Sequence, residues 1–261
     1  MTMILTIGWL YPTLMSTYGD RGNVICLQRR CQWRNIPVSI LPLDAESDYS
    51  KFAQVDLIVG GGAQDRQQEI VMRDLKGEKA KILKEVLRDG VPGVFTCGSP
   101  QLLGHYYEPA FGERIEGLGI LDLVSKHPGN NAQRFIGNVV FDISVTSLVQ
   151  ELSVFWNDLP RVIGFENHGG RTFLGNVAPL GKVIKGYGNN GEDQTEGAFY
   201  QNAIATYAHG PLLPKNPFLA DWMIYKALSR KSSSNKVLLD PLDDSLTLKA
   251  RTSLLMRYGL G

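Results

Sequence analysis

The sequence predicts an α/β fold, a mostly parallel sheet flanked by helices. Three observations carry that expectation. In the first half, short apolar runs alternate with helical stretches, and alternation of that kind requires crossover connections and a sheet covered on both faces. Hydrophobic residues make up 43% of the 261 residues, enough to bury a full core in one large domain. Glycine is the one unusual count, 28 residues, and many of the glycines fall in clusters beside the apolar runs.

Taken in order, residues 3–10 form the first strand-like run. The polar turn Thr17-Tyr18-Gly19-Asp20-Arg21-Gly22-Asn23 follows it, and residues 24–33 read as a helix. Residues 38–43 and 56–59 read as a second and third strand, the latter running into Gly60-Gly61-Gly62. Residues 69–88 form a charged helical stretch that should break at Gly77, because glycine lowers helix propensity by about 1 kcal/mol. Residues 91–96 are a fourth strand, and a helix starts at Gly98. The second half differs. Strand-like runs at 135–145, 162–165, 183–184 and 203–207 are separated by glycine-rich turns, so they should pair in antiparallel or mixed fashion. A helix over 218–229 begins after the start signal Asn216-Pro217. Ser232-Ser233-Ser234-Asn235 reads as a flexible linker, and a last helix covers about 245–258.

Composition excludes several function classes. The net charge of +1 argues against a nucleic-acid coat or a binder of anionic membranes. No apolar run reaches the length of a membrane span, and the first six residues lack the features of a signal peptide, so a cytoplasmic protein is expected. Three cysteines make no disulfide framework, and no histidine pairs with a cysteine at zinc-ligand spacing, so neither a metal nor another cofactor is expected.

The sharpest feature is Thr96-Cys97-Gly98-Ser99-Pro100-Gln101, where an apolar strand ends and a helix begins at once. A cysteine on such a turn is exposed at the carboxyl edge of the sheet, and the helix N-terminus favours its thiolate. The N–H of Gly98 is then free to help bind an oxyanion. Cys26 and Cys31 fall on a predicted amphipathic helix and read as buried apolar residues. A cysteine nucleophile needs a base. His209 follows the run 203–207 and precedes Gly210-Pro211, which puts it at a strand's carboxyl end; His168 competes, and a turn histidine is the plain reading of it. Gly61 and Gly62 of the glycine loop could supply a second oxyanion N–H. That loop has neither P-loop nor dinucleotide-binding spacing, and no Walker motif occurs anywhere.

These residues resemble the class I glutamine amidotransferases of the cobyric acid synthase-like kind, whose domain is flavodoxin-like. The resemblance is narrowed by Tyr18 to Asn23, by Gly60-Gly61-Gly62 with Asp65-Arg66-Gln67-Gln68, by residues 116–122 and 164–172, by Gly186-Tyr187-Gly188-Asn189-Asn190, and by His209-Gly210-Pro211-Leu212-Leu213-Pro214-Lys215-Asn216. Together they are similar to the glutaminase subunits of lipid II isoglutaminyl synthases. The resemblance implies Cys97 as nucleophile, His209 as catalytic histidine and Arg134 as a contact of the glutamine substrate; by itself Arg134 reads as a solvated charge before a strand. It also implies a partner, the Mur-ligase-like MurT, which amidates the D-glutamate α-carboxyl of lipid II in peptidoglycan synthesis. The missing P-loop agrees with a separate ATP-using chain. A different acceptor, such as a corrinoid carboxylate, and a non-catalytic subunit of the same fold are the alternatives.

One departure stands out: Ser99-Pro100 replaces the family's usual Gly-Tyr before Gln101. The resemblance implies a glutamate two residues after the histidine in most triads of this class, and here that position is Pro211. The third member must come either from Asp20, whose plain reading is a helix cap, or from a carboxylate of the partner, the option this reading favours. The predicted organisation is an amidotransferase domain over 1–230 and a linker with a helical tail over 231–261.

Overall fold

The protein was analysed as a computed structural model, described for residues 4–129, 131–156, 160–232 and 237–260. Ser233, Ser234 and Asn235 of the predicted linker lie outside the described residues, as does the start of the chain through Met3.

From the amino end, β1 (Leu5–Leu10) leads through a loop into α1 (Arg21–Gln32) and β2 (Val38–Leu43). A 3-10 turn precedes β3 (Leu57–Gly60), α2 (Asp65–Asp74), α3 (Glu78–Arg88), β4 (Gly93–Thr96) and α4 (Gly98–Leu103). The middle of the chain holds β5 (Tyr106–Glu108), β6 (Ile115–Glu116), β7 (Leu123–Lys126), β8 (Phe135–Ile143), α5 (Thr146–Leu152) and β9 (Arg161–His168). Then come β10 (Arg171–Leu174), β11 (Gly181–Lys185), β12 (Thr195–Glu196), β13 (Ala198–Tyr200), β14 (Ala203–Thr206), α6 (Leu212–Lys215), α7 (Pro217–Lys231) and α8 (Ser245–Arg257).

Six strands form the central sheet in the order β13-β14-β4-β3-β1-β2, all parallel except the edge strand β13. Of the inner strands, β3, β4 and β14 are buried at every position. A parallel strand covered on both faces needs an unbroken apolar run, and that is what these segments supply. One core cluster joins α1, α7 and β8 to the sheet, and the other lies beneath α2, α3 and α4 on the opposite face.

The second half builds two further four-stranded sheets, β10-β7-β5-β6 and β12-β11-β8-β9, in which only β5 and β7 run parallel. The mostly parallel description therefore fits the central sheet and not the additions. The charged stretch breaks where expected: Gly77 adopts φ +57°, a left-handed conformation that glycine takes without a Cβ penalty. Its first helix starts earlier than expected, at Asp65, because the Gln67 side chain accepts from the Gln64 N–H at 3.0 Å and closes the helix start.

The chain beyond α7 packs onto the domain. The Arg30 guanidinium of α1 donates to Asp221 of α7 and to Asp244 at 2.7 Å each. From α8, the buried Arg251 donates to the carbonyls of Lys215 and Arg161 at 2.6 Å.

Candidate active site

Four adjacent strands of the central sheet, β14, β4, β3 and β1, end on one edge, where α/β folds gather their sites. The chain leaving each delivers one part: Asp20 after β1, the glycine loop after β3, Cys97 after β4 and His209 after β14.

Cys97 occupies the turn between β4 and α4 with φ 54° and ψ −97°, a strained conformation for a residue with a side chain. Its N–H donates to Thr206 O at 2.9 Å, and that bond ties the turn to the end of β14. Cys26 and Cys31 lie on α1, where burial pushes both thiols up to about 12, so neither is equipped as a nucleophile.

His209 is 1% exposed, and its backbone pairs in both directions with Phe165 of β9. Its Nδ1 lies 3.3 Å from Asp20 Oδ1. Burial opposes the His209 cation, but the Cys97 thiolate and the Asp20 carboxylate outweigh it and push the imidazole up to about 10. Burial likewise works to raise Asp20, yet His209, the Gly62 N–H and Thr96 hold its carboxyl below the ordinary value. Asp20 sits at the start of α1 but makes no capping bond, and its helical φ of −60° and ψ of −18° are not those of a capping residue. The in-chain candidate for the third member thus meets the histidine, where the sequence reading had favoured a partner's carboxylate.

Gly62 explains how the three groups fit. A Cβ there would stand 3.1 Å from His209 Cε1, 3.3 Å from Asp20 Oδ2 and 3.3 Å from Cys97 Cβ. All three side chains therefore converge on the space that the glycine leaves open. The Gly62 N–H, expected to face an oxyanion, donates instead to Asp20 Oδ2 at 2.7 Å. A bond already made to a carboxylate removes it from that role. Gly98 opens α4, where its N–H has no intrahelical partner. The Ala63 N–H approaches Gly98 so closely that a Cβ at that glycine would lie 2.9 Å from it. Gly98 and Ala63 thus bring two backbone amides side by side next to Cys97, and the Gly61 carbonyl accepts from the Ser99 hydroxyl at 2.7 Å. The Ser99 departure from the family pattern thereby fastens α4 to the glycine loop.

Cys97 opens into a cavity of about 430 Å3. Arg134 lines it, held by Asn167 O and by the Tyr18 hydroxyl, each 2.9 Å from Nη2. Arg134 precedes β8, and pairing of Phe135 with His168 puts it beside the end of β9. His168, the competing base, also lines the cavity. Burial disfavours its cation; its Nδ1 lies 2.8 Å from Gly170 O, and its ring stacks on Tyr207 at 3.6 Å. It forms wall, and the carboxylate beside its Nε2, at 3.7 Å, is that of Glu166.

Gln101 forms part of the cavity floor, fixed between the Gln68 amide at 2.9 Å and the Tyr207 hydroxyl at 3.1 Å. Tyr18 packs edge-on against His209 at 4.8 Å while it accepts from Arg134, so it bridges the two halves of the site. Sequence reasoning gave Tyr18 no role. Its position in the loop leaving β1, beside Asp20, was the available signal. Among the described residues no group of three His, Cys, Asp or Glu side chains could hold a metal.

The profile of the CobB/CobQ-like glutamine amidotransferase domain matches residues 6–217. Two relatives carry the name lipid II isoglutaminyl synthase (glutamine-hydrolyzing) subunit GatD. The one from Staphylococcus aureus is 38% identical over 87% of this chain and 86% of its own. The one from Streptococcus pneumoniae is 39% identical over 87% of this chain and 82% of its own. Among solved structures, PurLQS from Thermotoga maritima superposes with a TM-score of 0.59 at 11% identity, over 88% of this chain and 100% of that one, a likeness of fold. With its cysteine turn, its histidine and its glycine loop on one sheet edge, the chain belongs to the CobB/CobQ-like glutamine amidotransferase family.

Proposed function

We propose that the protein is the glutaminase subunit of a lipid II isoglutaminyl synthase, hydrolysing L-glutamine to glutamate and ammonia. The observation that carries the reading is the convergence of Cys97, His209 and Asp20 around Gly62, with Cys97 opening into a cavity that Arg134 also lines. The likeness to the two GatD subunits supports the acceptor.

In the proposed mechanism, Arg134 pairs with the substrate α-carboxylate. The Cys97 sulfur attacks the side-chain amide carbon, and the oxyanion that forms is bound by the N–H groups of Gly98 and Ala63. His209 gives its proton to the leaving nitrogen, so ammonia departs and a thioester remains. His209 then takes a proton from water, which attacks the thioester, and glutamate leaves as the thiolate is restored. Asp20 orients the imidazole and stabilises its cation throughout. Ammonia released into bulk water would be lost as a reagent. A MurT-like, ATP-using synthetase is the proposed recipient, and the cytoplasm, where nucleotide and glutamine occur together, is the proposed location. No described helix is long and apolar enough to cross a membrane.

The test is glutamate release by the full chain, followed by conversion of the lipid II carboxyl to carboxamide by mass spectrometry once the synthetase and ATP are added. Glutamine hydrolysis without amidation of lipid II would overturn the acceptor. No hydrolysis in either state would overturn the glutaminase reading.

A further inference from the structure

An amino-acid substrate is a zwitterion, so a site that distinguishes it from other amides must meet a cation as well as an anion. Arg134 supplies a positive charge to the cavity, and nothing in the mechanism above meets the ammonium group. One other formally charged side chain lines the same cavity among the described residues, that of Asp65, and it is an acid. Asp65 is the first residue of α2, directly after the glycine loop. The loop that approaches Gly98 therefore also carries this carboxylate to the cavity.

The bland role for an acid in a first helical turn is to complement the helix dipole. The contacts of Asp65 point elsewhere. The start of α2 is closed by Gln67 folding back on the Gln64 N–H, and Asp65 takes no part in that bond. Its Oδ1 accepts instead from the Tyr107 hydroxyl at 3.2 Å, and Tyr107 is itself a buried wall residue of the cavity. Its Oδ2 has no hydrogen-bond partner among the described residues, and the carboxylate is half-buried. One oxygen is thus fixed by the wall and the other is left for a donor in the cavity.

We propose that Asp65 binds the α-ammonium group of the substrate and so selects an amino acid over a simple amide. The inference rests on the glutaminase reading and adds a specificity residue to it. Asp65 is a binding residue, with Tyr107 as the group that orients it. It takes no part in proton transfer.

The test compares L-glutamine with 4-carbamoylbutanoate, which keeps the amide and the carboxylate but has hydrogen in place of the amino group. kcat/KM is measured for both compounds with the full wild-type chain, Asp65→Asn and Asp65→Glu. A charge-assisted hydrogen bond corresponds to about 10- to 150-fold in binding. The wild-type preference for L-glutamine should fall by about that factor in Asp65→Asn and persist in large part in Asp65→Glu. The asparagine keeps an acceptor for Tyr107, so the wall should survive. A role in helix stability alone would slow both compounds equally and leave the ratio untouched. An unchanged ratio in Asp65→Asn, with wild-type glutaminase activity intact, overturns the assignment and spares the glutaminase reading. A wild-type chain that hydrolyses neither compound, alone or with the synthetase bound, overturns both.

Discussion

Replacing Asp20 by asparagine isolates the third member of the site with little change in volume. Both Asp20 oxygens accept: Oδ1 faces His209 Nδ1 at 3.3 Å, and Oδ2 takes the Gly62 N–H at 2.7 Å. An asparagine offers one acceptor and one donor, so in either orientation its NH2 group faces a donor. The charge that stabilises the imidazolium disappears as well. One charge-assisted hydrogen bond is worth about 1.5–3 kcal/mol. If that loss falls on the transition state, kcat drops about 10- to 150-fold. The corresponding change in a serine-protease triad costs about 10⁴, and that figure bounds the effect from above. The pH profile adds a second readout. His209 is held as a cation up to about 10, partly by Asp20, so the alkaline limb of kcat should move to lower pH in Asp20→Asn. The assay is glutamate release from pH 6 to 10 by the full chain, alone and with the synthetase bound. A kcat within about twofold of wild type, with an unmoved alkaline limb, refutes the orienting role, since even the weakest charge-assisted bond exceeds that change. If binding of the synthetase raises the wild-type rate and Asp20→Asn matches wild type in both states, the orienting carboxylate belongs to the partner subunit.

Cys97→Ser should abolish glutamine hydrolysis, a fall of about 10³-fold or more, and labelling by a diazo-oxo-norleucine electrophile should map to Cys97 in the wild type; a label on Cys26 or Cys31 would contradict the site. Arg134→Ala should raise KM for glutamine about 10- to 150-fold while thermal unfolding stays near wild type, because the side chain is exposed. Gly62→Ala should fold and lose about 10²-fold in kcat, since its methyl group would push His209, Asp20 and Cys97 apart; near-normal turnover would show that the three do not act together. His209 also links stability to pH. Its folded value is raised above that of an unfolded histidine, so its contribution is complete below about pH 6.5 and declines as pH rises through about 10. The stability difference between wild type and His209→Ala, read by chemical denaturation, should therefore shrink over that range.

The parts of the fold legible in the sequence were those fixed by local chemistry. β3, β4 and β14 are buried on both faces, so each needs a continuous apolar run, and each such run stands out. Cys97 and His209 were legible because the first directly follows such a run and the second lies three residues beyond one. Arg134 was different. Its place in the cavity depends on Phe135 pairing with His168, a register between distant segments that no local period encodes. The strands β5, β6, β10, β12 and β13 are two to four residues long, too short for alternation to appear, and their partners alone make them strands. α8 was expected as a tail helix, but its anchor is the single buried Arg251, and a lone arginine in a helical stretch reads as solvated until the carbonyls around it are known.

Asp20 shows why the remaining ambiguity was physical. A carboxylate just before a helix has the chemistry of a cap and also that of a histidine partner, and the sequence places it correctly for both. The choice is made by Gly62, some forty residues away. Its N–H draws Oδ2 off the helix start, and its missing side chain leaves room for His209 beside the carboxylate and for Cys97 beyond. The glycine loop was read as a source of oxyanion donors. At Gly62 its larger contribution is vacancy: the missing Cβ leaves open the space on which His209, Asp20 and Cys97 converge, and the proposed oxyanion role falls to the N–H groups of Ala63 and Gly98.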